Sequence, residues 1–292
     1  MRDVARDAGQ PAVATQEASP AVLREQQRAE NFPVALRLLP PATRRHLAAI
    51  YDVARVVDDL GDRGDGDRTA LLEDFRSDLD RIWDGGTVRW RVLRRLEPTV
   101  EQCHLARQPF ADLVLANLQD QQVTAYETFD ELRDYCRLSA DPVGRLVLAV
   151  FGAGTPRTEQ LSDRVCTALQ LLEFWQDVAE DRAAGRVYIP QETLRAYGVP
   201  DADLDGTSTS PVLKLALAAE TQRAEALLAS GSELVALLHG WARVAVAGYV
   251  AGGRATARAL RRADFDVLAA TPRPGAGATL RYAAALLAGA GR

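Results

Sequence analysis

Beyond residue 20, apolar residues recur at three- and four-residue spacing along almost the whole chain, and alternating β-branched runs are scarce. The pattern predicts an all-α protein. Pro40–Pro41 precedes a helix from about Ala42 to Asp62, closed by Gly61, Gly64 and Gly66. Further helices are expected at about Arg68–Trp83, Arg89–Arg107 with a break at Pro98, Pro109–Leu118 and Thr128–Ser139. After a break at Asp141–Pro142 an apolar helix runs to Gly152, and a long one spans Thr158–Asp181 with Gly185 beyond its end. Tyr188-Ile189-Pro190 reads as extended, and Ser208–Ser210 cap a helix from Pro211 to about Ala229. Segments at about Ser232–Arg261 and Ala276–Leu287 close the chain. No repeat or long linker divides it, so residues 21–292 are expected to form a single domain after a disordered tail over residues 1–20.

Composition narrows the function classes. The 292 residues carry 35 basic against 40 acidic side chains, a net charge of −5, which excludes a generally basic nucleic-acid binder. The 3 cysteines, Cys103, Cys136 and Cys166, have no CxxC spacing, which argues against a disulfide framework or a cysteine zinc site and fits a reducing cytoplasm. The N-terminus lacks the apolar run of a signal peptide and carries Asp3, Asp7 and Glu17. The most apolar long stretch, Leu234–Gly253, contains His239 and Arg243 and reads as a core helix rather than a membrane span. His46, His104 and His239 are far apart, and no phosphate loop, dinucleotide fingerprint, nucleophile elbow or zinc-protease motif is present.

The chemistry concentrates in two acidic clusters on apolar helices. Tyr51, Arg55, Asp58, Asp59 and Asp62 share one helical stripe, flanked by Ile50, Val53, Val56, Val57 and Leu60. Asp58 and Asp62 stand at i,i+4, where like charges repel, and near a helix C-terminus, where they oppose the helix dipole. Something cationic should compensate them. Glu173, Asp177 and Asp181 repeat the design, with Leu169, Leu172, Phe174 and Val178 as apolar neighbours. A single cluster could be a solvated face. Two of the same design argue for facing carboxylates that hold hard cations, and Mg²⁺ commonly bridges carboxylates to phosphates. Arg55, Arg182 and Arg186 lie close in sequence to the clusters.

At these residues the chain resembles the squalene/phytoene synthase family of head-to-head prenyl synthases. Its two aspartate motifs match Asp58 with Asp62, and Asp177 with Asp181. Tyr51 and Arg55 match the YxxxR before the first motif. Tyr135 through Gly144 resembles the YCxxxAxxVG segment, and Gly185-Arg186-Val187-Tyr188-Ile189-Pro190 the GRxYxP tail. The motifs stand in the family's order, over about Glu30 to Pro274. Within the family, Glu30-Asn31-Phe32-Pro33-Val34 and Phe174-Trp175-Gln176-Asp177-Val178 look like the hydroxysqualene-forming branch of the bacterial hopanoid pathway. Other branches usually have Ser at Asn31 and Arg at Gln176. Two departures stand out: Glu173 where the family normally has a metal-binding Asn, and Asp141 where Asn is common.

The resemblance implies an isoprenoid-synthase helical bundle with a central cavity, and Mg²⁺, roughly two or three ions, bound by Asp58, Asp62, Asp177, Asp181 and Glu173. It implies diphosphate and substrate contacts from Arg55, Asn31, Phe32, Tyr135, Gln170, Arg186 and Tyr188, with Tyr51 and Gln176 at the reacting centre. Phe32, Leu36, Val143, Leu146, Leu169 and Leu172 are candidate cavity walls, each equally readable as ordinary core. The implied reaction turns presqualene diphosphate and water into hydroxysqualene and diphosphate without NADPH. So long a product implies transient contact with a membrane surface by a cytoplasmic protein. Three alternatives stay open: a dehydrosqualene, phytoene or squalene synthase acting on two allylic diphosphates; a non-catalytic assembly or binding relative of the fold; and a helical interaction module with acidic faces.

Overall fold

The computed structural model describes residues 39–64 and 66–289. The expected tail over residues 1–20, and Asn31, Phe32 and Leu36, lie outside the described residues. The described chain is helical, as the apolar spacing predicts. Helix α1 (Pro41–Arg63) starts on a proline whose fixed φ suits a first turn. Asp67 caps α2 (Arg68–Asp84) by accepting the Ala70 N–H at 3.0 Å. Helix α3 (Arg91–Cys103) runs through Pro98 without the expected break, held by its buried face of Val92, Leu93, Leu96 and Val100. It ends short of Arg107, at His104 in the left-handed conformation. Helix α4 (Gln108–Gln119) and α5 (Phe129–Ser139) follow, the latter behind a capping box of Thr128 and Glu131.

Helix α6 (Asp141–Val150) begins directly after α5, and α7 (Pro156–Gln176) is capped by Thr155. The expected helix over Thr158–Asp181 is in fact two. Asp177 leaves helical geometry at φ −102° and ψ 20°, and α8 (Val178–Ala183) restarts beyond it. Tyr188–Pro190 is non-helical, as expected, helix α9 (Gln191–Ala196) follows it, and a 3₁₀ turn (Asp201–Asp205) comes next. Helix α10 (Pro211–Gly231) is capped by Ser210. The expected Ser232–Arg261 segment also divides, into α11 (Leu234–Leu237) and α12 (Gly240–Arg262). Helix α13 (Ala276–Gly289) is the last.

Helix α7 is the centre of the bundle, packing against α5, α6, α10 and α12. Leu171, Leu172 and Trp175 of α7 meet Leu213 and Leu217 of α10 and Leu260 of α12 in one core cluster. A second cluster joins Val53, Val57 and Leu60 of α1 to Phe75, Leu93, Phe110 and Val114. Gly144 lets α6 close on α7, since a Cβ there would lie 2.3 Å from Ser162 Oγ and 2.5 Å from Cys166 Sγ. Leu146 and Leu172 are buried in these clusters, whereas Val143 and Leu169 are half-buried. No strand forms among the described residues. Only one parallel bridge does, Ala125 to Val187, and it straps the segment after α8 onto the loop after α4. No helix among the described residues is long and apolar enough to cross a membrane, the Leu234–Gly253 stretch included.

Candidate active site

The first acidic cluster occupies the last two turns of α1. Gly61 sits where α4 crosses, and a Cβ there would lie 2.4 Å from Asn117 Oδ1. That close approach lets Asn117 Nδ2 donate to Asp58 Oδ1 at 3.1 Å, while Gln121 Nε2 donates to the Gly61 carbonyl at 3.1 Å. The amides of Asn117 in α4 and of Gln121 just beyond it thus cover an end of α1 that its own dipole makes negative. The cations expected near this cluster are present. Arg55 pairs with Asp59 at 3.0 Å, with Arg63 3.8 Å from the same carboxylate. Arg186, from the strapped segment after α8, reaches Asp62 Oδ1 at 2.8 Å.

Asp58 is exposed, with the Asn117 side chain of α4 against it. Loss of bulk water around it raises its pKa to about 7; the Asn117 hydrogen bond and Arg55 oppose the rise, and Asp62 and Asp59 add to it.

The second cluster lies across the bend at Asp177. The bend places Glu180 and Asp181 in the first turn of α8 rather than near the end of a long helix, so the opposed dipole expected for Asp181 does not hold. Backbone continuity persists: the Asp177 N–H donates to the Glu173 carbonyl at 3.0 Å and the Asp181 N–H to the Asp177 carbonyl at 2.8 Å. Asp177 is half-buried, and its pKa is raised by desolvation and by Glu180, against Arg273. Asp181 is pushed up to about 7 by desolvation, then by Asp177; Arg186 opposes, and Glu180 and Asp120 add to the rise.

Asp120 is a member that the motifs did not reveal. It follows the last residue of α4 and accepts the Tyr135 hydroxyl at 2.7 Å on Oδ2. Its Oδ1 is buried without a hydrogen-bond partner. Its pKa is raised to about 6, chiefly by desolvation; the Tyr135 bond and Arg186 oppose this, and Asp62 adds to it. The available signal was Asn117, Asp120 and Gln121 at three- and four-residue spacing across the end of a helix whose buried face carries Leu113, Val114 and Ala116. Arg186 therefore stands among Asp62, Asp120 and Asp181, contributed by three separate parts of the chain.

Tyr135 and Tyr188, both buried, join Phe174 and Tyr126 in an aromatic cluster, with Phe174 and Tyr188 stacked at 3.8 Å between centroids. The Val187 N–H donates to the Thr124 carbonyl at 2.8 Å and the Gln191 N–H to the Tyr126 carbonyl at 2.9 Å, which fixes Tyr188 between them and Arg186 just before the first. Tyr51, half-buried, lies one turn before Arg55, and Gln170, also half-buried, two turns before Asp177. Glu173 is exposed one turn before Asp177.

Two expectations change. Arg182 turns away from the carboxylates and pairs with Asp201 at 2.8 Å and Asp205 at 2.7 Å. Gln176 is buried, and its amide nitrogen donates to the Pro272 carbonyl rather than standing ready for water. It anchors the segment that brings Arg273 into the field of Asp177.

Among the described residues, no three His, Cys, Asp or Glu side chains form a ready-made metal cage. The donors nonetheless fit divalent cations. All are hard carboxylate oxygens, they raise one another's pKa values, and one buried oxygen of Asp120 has no hydrogen-bond partner. Carboxylates on separate walls suit ions whose remaining ligands are water and phosphate oxygen.

Comparison with known proteins identifies the family and the fold. The sequence model of the Squalene/phytoene synthase family matches residues 26–278. A hydroxysqualene synthase of Zymomonas mobilis is 37% identical over 216 residues, 72% of this chain and 71% of that protein. The crystal structure of squalene synthase HpnC from Alicyclobacillus acidocaldarius superposes with a TM-score of 0.78 at 36% identity, covering 87% of this chain and 96% of that one. A dehydrosqualene synthase solved with a ligand shares the fold, with a TM-score of 0.83 at 21% identity, covering 94% and 95% of the two chains.

Proposed function

The chain is an enzyme of the squalene/phytoene synthase family, and from that premise we propose that it converts presqualene diphosphate and water into hydroxysqualene and diphosphate. The observation that carries the reading is Arg186, a cation set among the carboxylates of both aspartate motifs and Asp120. Two acidic walls joined through one arginine form a receptacle for a diphosphate, which net-negative protein surface would otherwise repel. Its likeness to hydroxysqualene synthases supports the finer assignment.

In this reading Asp58, Asp62, Asp177, Asp181 and Asp120 would hold Mg²⁺, with Glu173 beside them, and when bound it would stabilise the negative charge that develops on the departing diphosphate. The chain's own groups do the rest. Arg186 and Arg55 hold the diphosphate oxygens. The Tyr135 hydroxyl donates to Asp120 and so orients that carboxylate at the edge of the site. The apolar helices exclude bulk water while the carbon–oxygen bond breaks and its electron pair leaves with diphosphate. The resulting cyclopropylcarbinyl cation rearranges. One water adds through its oxygen and loses a proton to solvent or diphosphate. No electrons are transferred, so the balance needs no nicotinamide cofactor. Gln176 acts here as a positioning residue for Arg273 rather than as a holder of the water.

The test is turnover of presqualene diphosphate in H₂¹⁸O without NADPH, with mass spectrometry of the product. Labelled hydroxysqualene is expected. Unlabelled product, or efficient hydrocarbon formation from farnesyl diphosphate alone, overturns the assignment in favour of a dehydrosqualene or squalene synthase.

A further inference from the structure

An open pocket of about 360 Å³ lies between α10, α12 and α13, built from elements other than those that carry the aspartates. Arg254, Arg258 and Arg261 of α12 line it from one stripe, with Glu225 and Leu228 of α10 and Tyr282 of α13. Glu225 binds Arg261 through both carboxylate oxygens. That leaves Arg254 and Arg258 as excess positive charge at i,i+4, a spacing at which like charges repel. Packing does not require this cost, because Arg258 is exposed and Arg254 half-buried. Guanidinium groups converging on one hollow match the oxygens of a phosphate group.

The wall beside the pocket points to the source of that phosphate. Helix α13, AGATLRYAAALLAG, has Arg281 as its only charged residue; Leu286 and Leu287 pack against the core and Ala278 is buried, but the face that carries Leu280 is open. Leu280 is 72% exposed. An apolar helix on the surface next to an arginine pocket is the chemistry of a membrane interface, where the helix meets acyl chains and the arginines meet headgroups. A chain of net charge −5 is repelled by an anionic bilayer unless a local cationic site holds it there.

We propose that the pocket formed by Arg254, Arg258, Arg261 and Tyr282 binds the phosphate of an anionic phospholipid headgroup and docks the protein, α13 first, on an anionic membrane surface. The biological purpose rests on the reading that substrate and product are membrane-soluble prenyl lipids. The binding itself is independent of that reading.

The experiment is co-sedimentation of the full chain with vesicles of phosphatidylcholine alone and of phosphatidylcholine mixed with phosphatidylglycerol. Binding is expected only to the anionic vesicles and should weaken with salt. The double variant R254Q/R258Q should bind roughly 30-fold more weakly, since each arginine near an anionic surface contributes about a factor of five or more. The variant R68Q/R76Q, which removes the same charge from α2, should bind like the wild type. Thermal melting of both variants controls for folding, and turnover of detergent-dispersed substrate should be unchanged in R254Q/R258Q. Equal loss in both double variants, or no preference for anionic vesicles, overturns the proposal. So does thermal stabilisation by inorganic phosphate that needs Arg254 and Arg258 without vesicle binding, which would make the pocket a site for free phosphate.

Discussion

Replacing Asp141 by Asn, the residue common at this place in the family, should stabilise the protein, and more so at alkaline pH. Asp141 opens α6 just before Pro142 and is only 3% exposed. The Thr167 hydroxyl donates to its Oδ1 at 2.9 Å. Desolvation, followed by the charge of Asp163, lifts its pKa from 3.8 to about 7, against that hydrogen bond and the charges of Arg145 and Arg137. The folded chain therefore holds this proton more tightly than the unfolded chain does. The associated stability is complete below 3.8 and is lost as pH rises through about 7. Over the whole interval the loss is about 4 kcal/mol, at 1.36 kcal/mol per pH unit. An Asn keeps an oxygen for the Thr167 hydroxyl and carries no charge to desolvate. The gain in melting temperature of D141N over wild type should thus be roughly 5 °C larger near pH 8 than near pH 5, from about 2–3 kcal/mol of added difference. Paired thermal melts followed by circular dichroism give both values. An equal gain at the two pH values, or a loss at the higher one, would refute the desolvation argument.

Asp58→Asn and Asp177→Asn should each lower turnover by roughly 10² or more, and chelation with EDTA should abolish it, because charge stabilisation of a leaving group is a large catalytic contribution; full activity in any of these conditions contradicts the two-wall site. Glu173→Asn should keep activity and alter the metal preference in a Mg²⁺ and Mn²⁺ titration, whereas wild-type behaviour of Glu173→Ala across Mg²⁺ concentrations would make the residue a bystander. Gly61→Ala should push Asn117 off Asp58, with about 1–3 kcal/mol of destabilisation and a fall in turnover that chemical denaturation and steady-state assays would record. Asp78→Ala should cost about 3 kcal/mol or more in urea unfolding, since Asp78 is fully buried and accepts the backbone N–H groups of Arg89 and Trp90, which the variant would leave unpaired.

The helical class and the two aspartate helices were legible because both are local, periodic facts. Apolar spacing records which face is buried, and i,i+4 carboxylates record a shared stripe. The breaks were not legible in the same way. Pro98 reads as a helix breaker, but a buried face of four apolar residues outweighs one lost backbone hydrogen bond. Asp177 carries no breaker residue, yet α7 ends there, because nothing in local composition reports the bend. Asp120 was missed for a related reason. It stands outside the recognised motifs, and only the crossing at Gly61 and the hydroxyl of Tyr135 bring it beside Asp62 and Asp181. Arg182 and Arg186 look equivalent in sequence. The strap onto Thr124 and Tyr126 turns one toward the carboxylates, while Asp201 and Asp205 draw the other away.

The bond from Gln176 to the Pro272 carbonyl has a consequence for how the molecule is made. It spans 96 residues, so both acidic walls leave the ribosome long before the segment that carries Arg273 exists. A nascent chain halted near residue 260 already contains every aspartate of the site, but it lacks the late arginine that offsets Asp177. The second wall is then more repulsive than in the finished protein, and the charge balance around Asp177 is complete only once synthesis has passed Arg273.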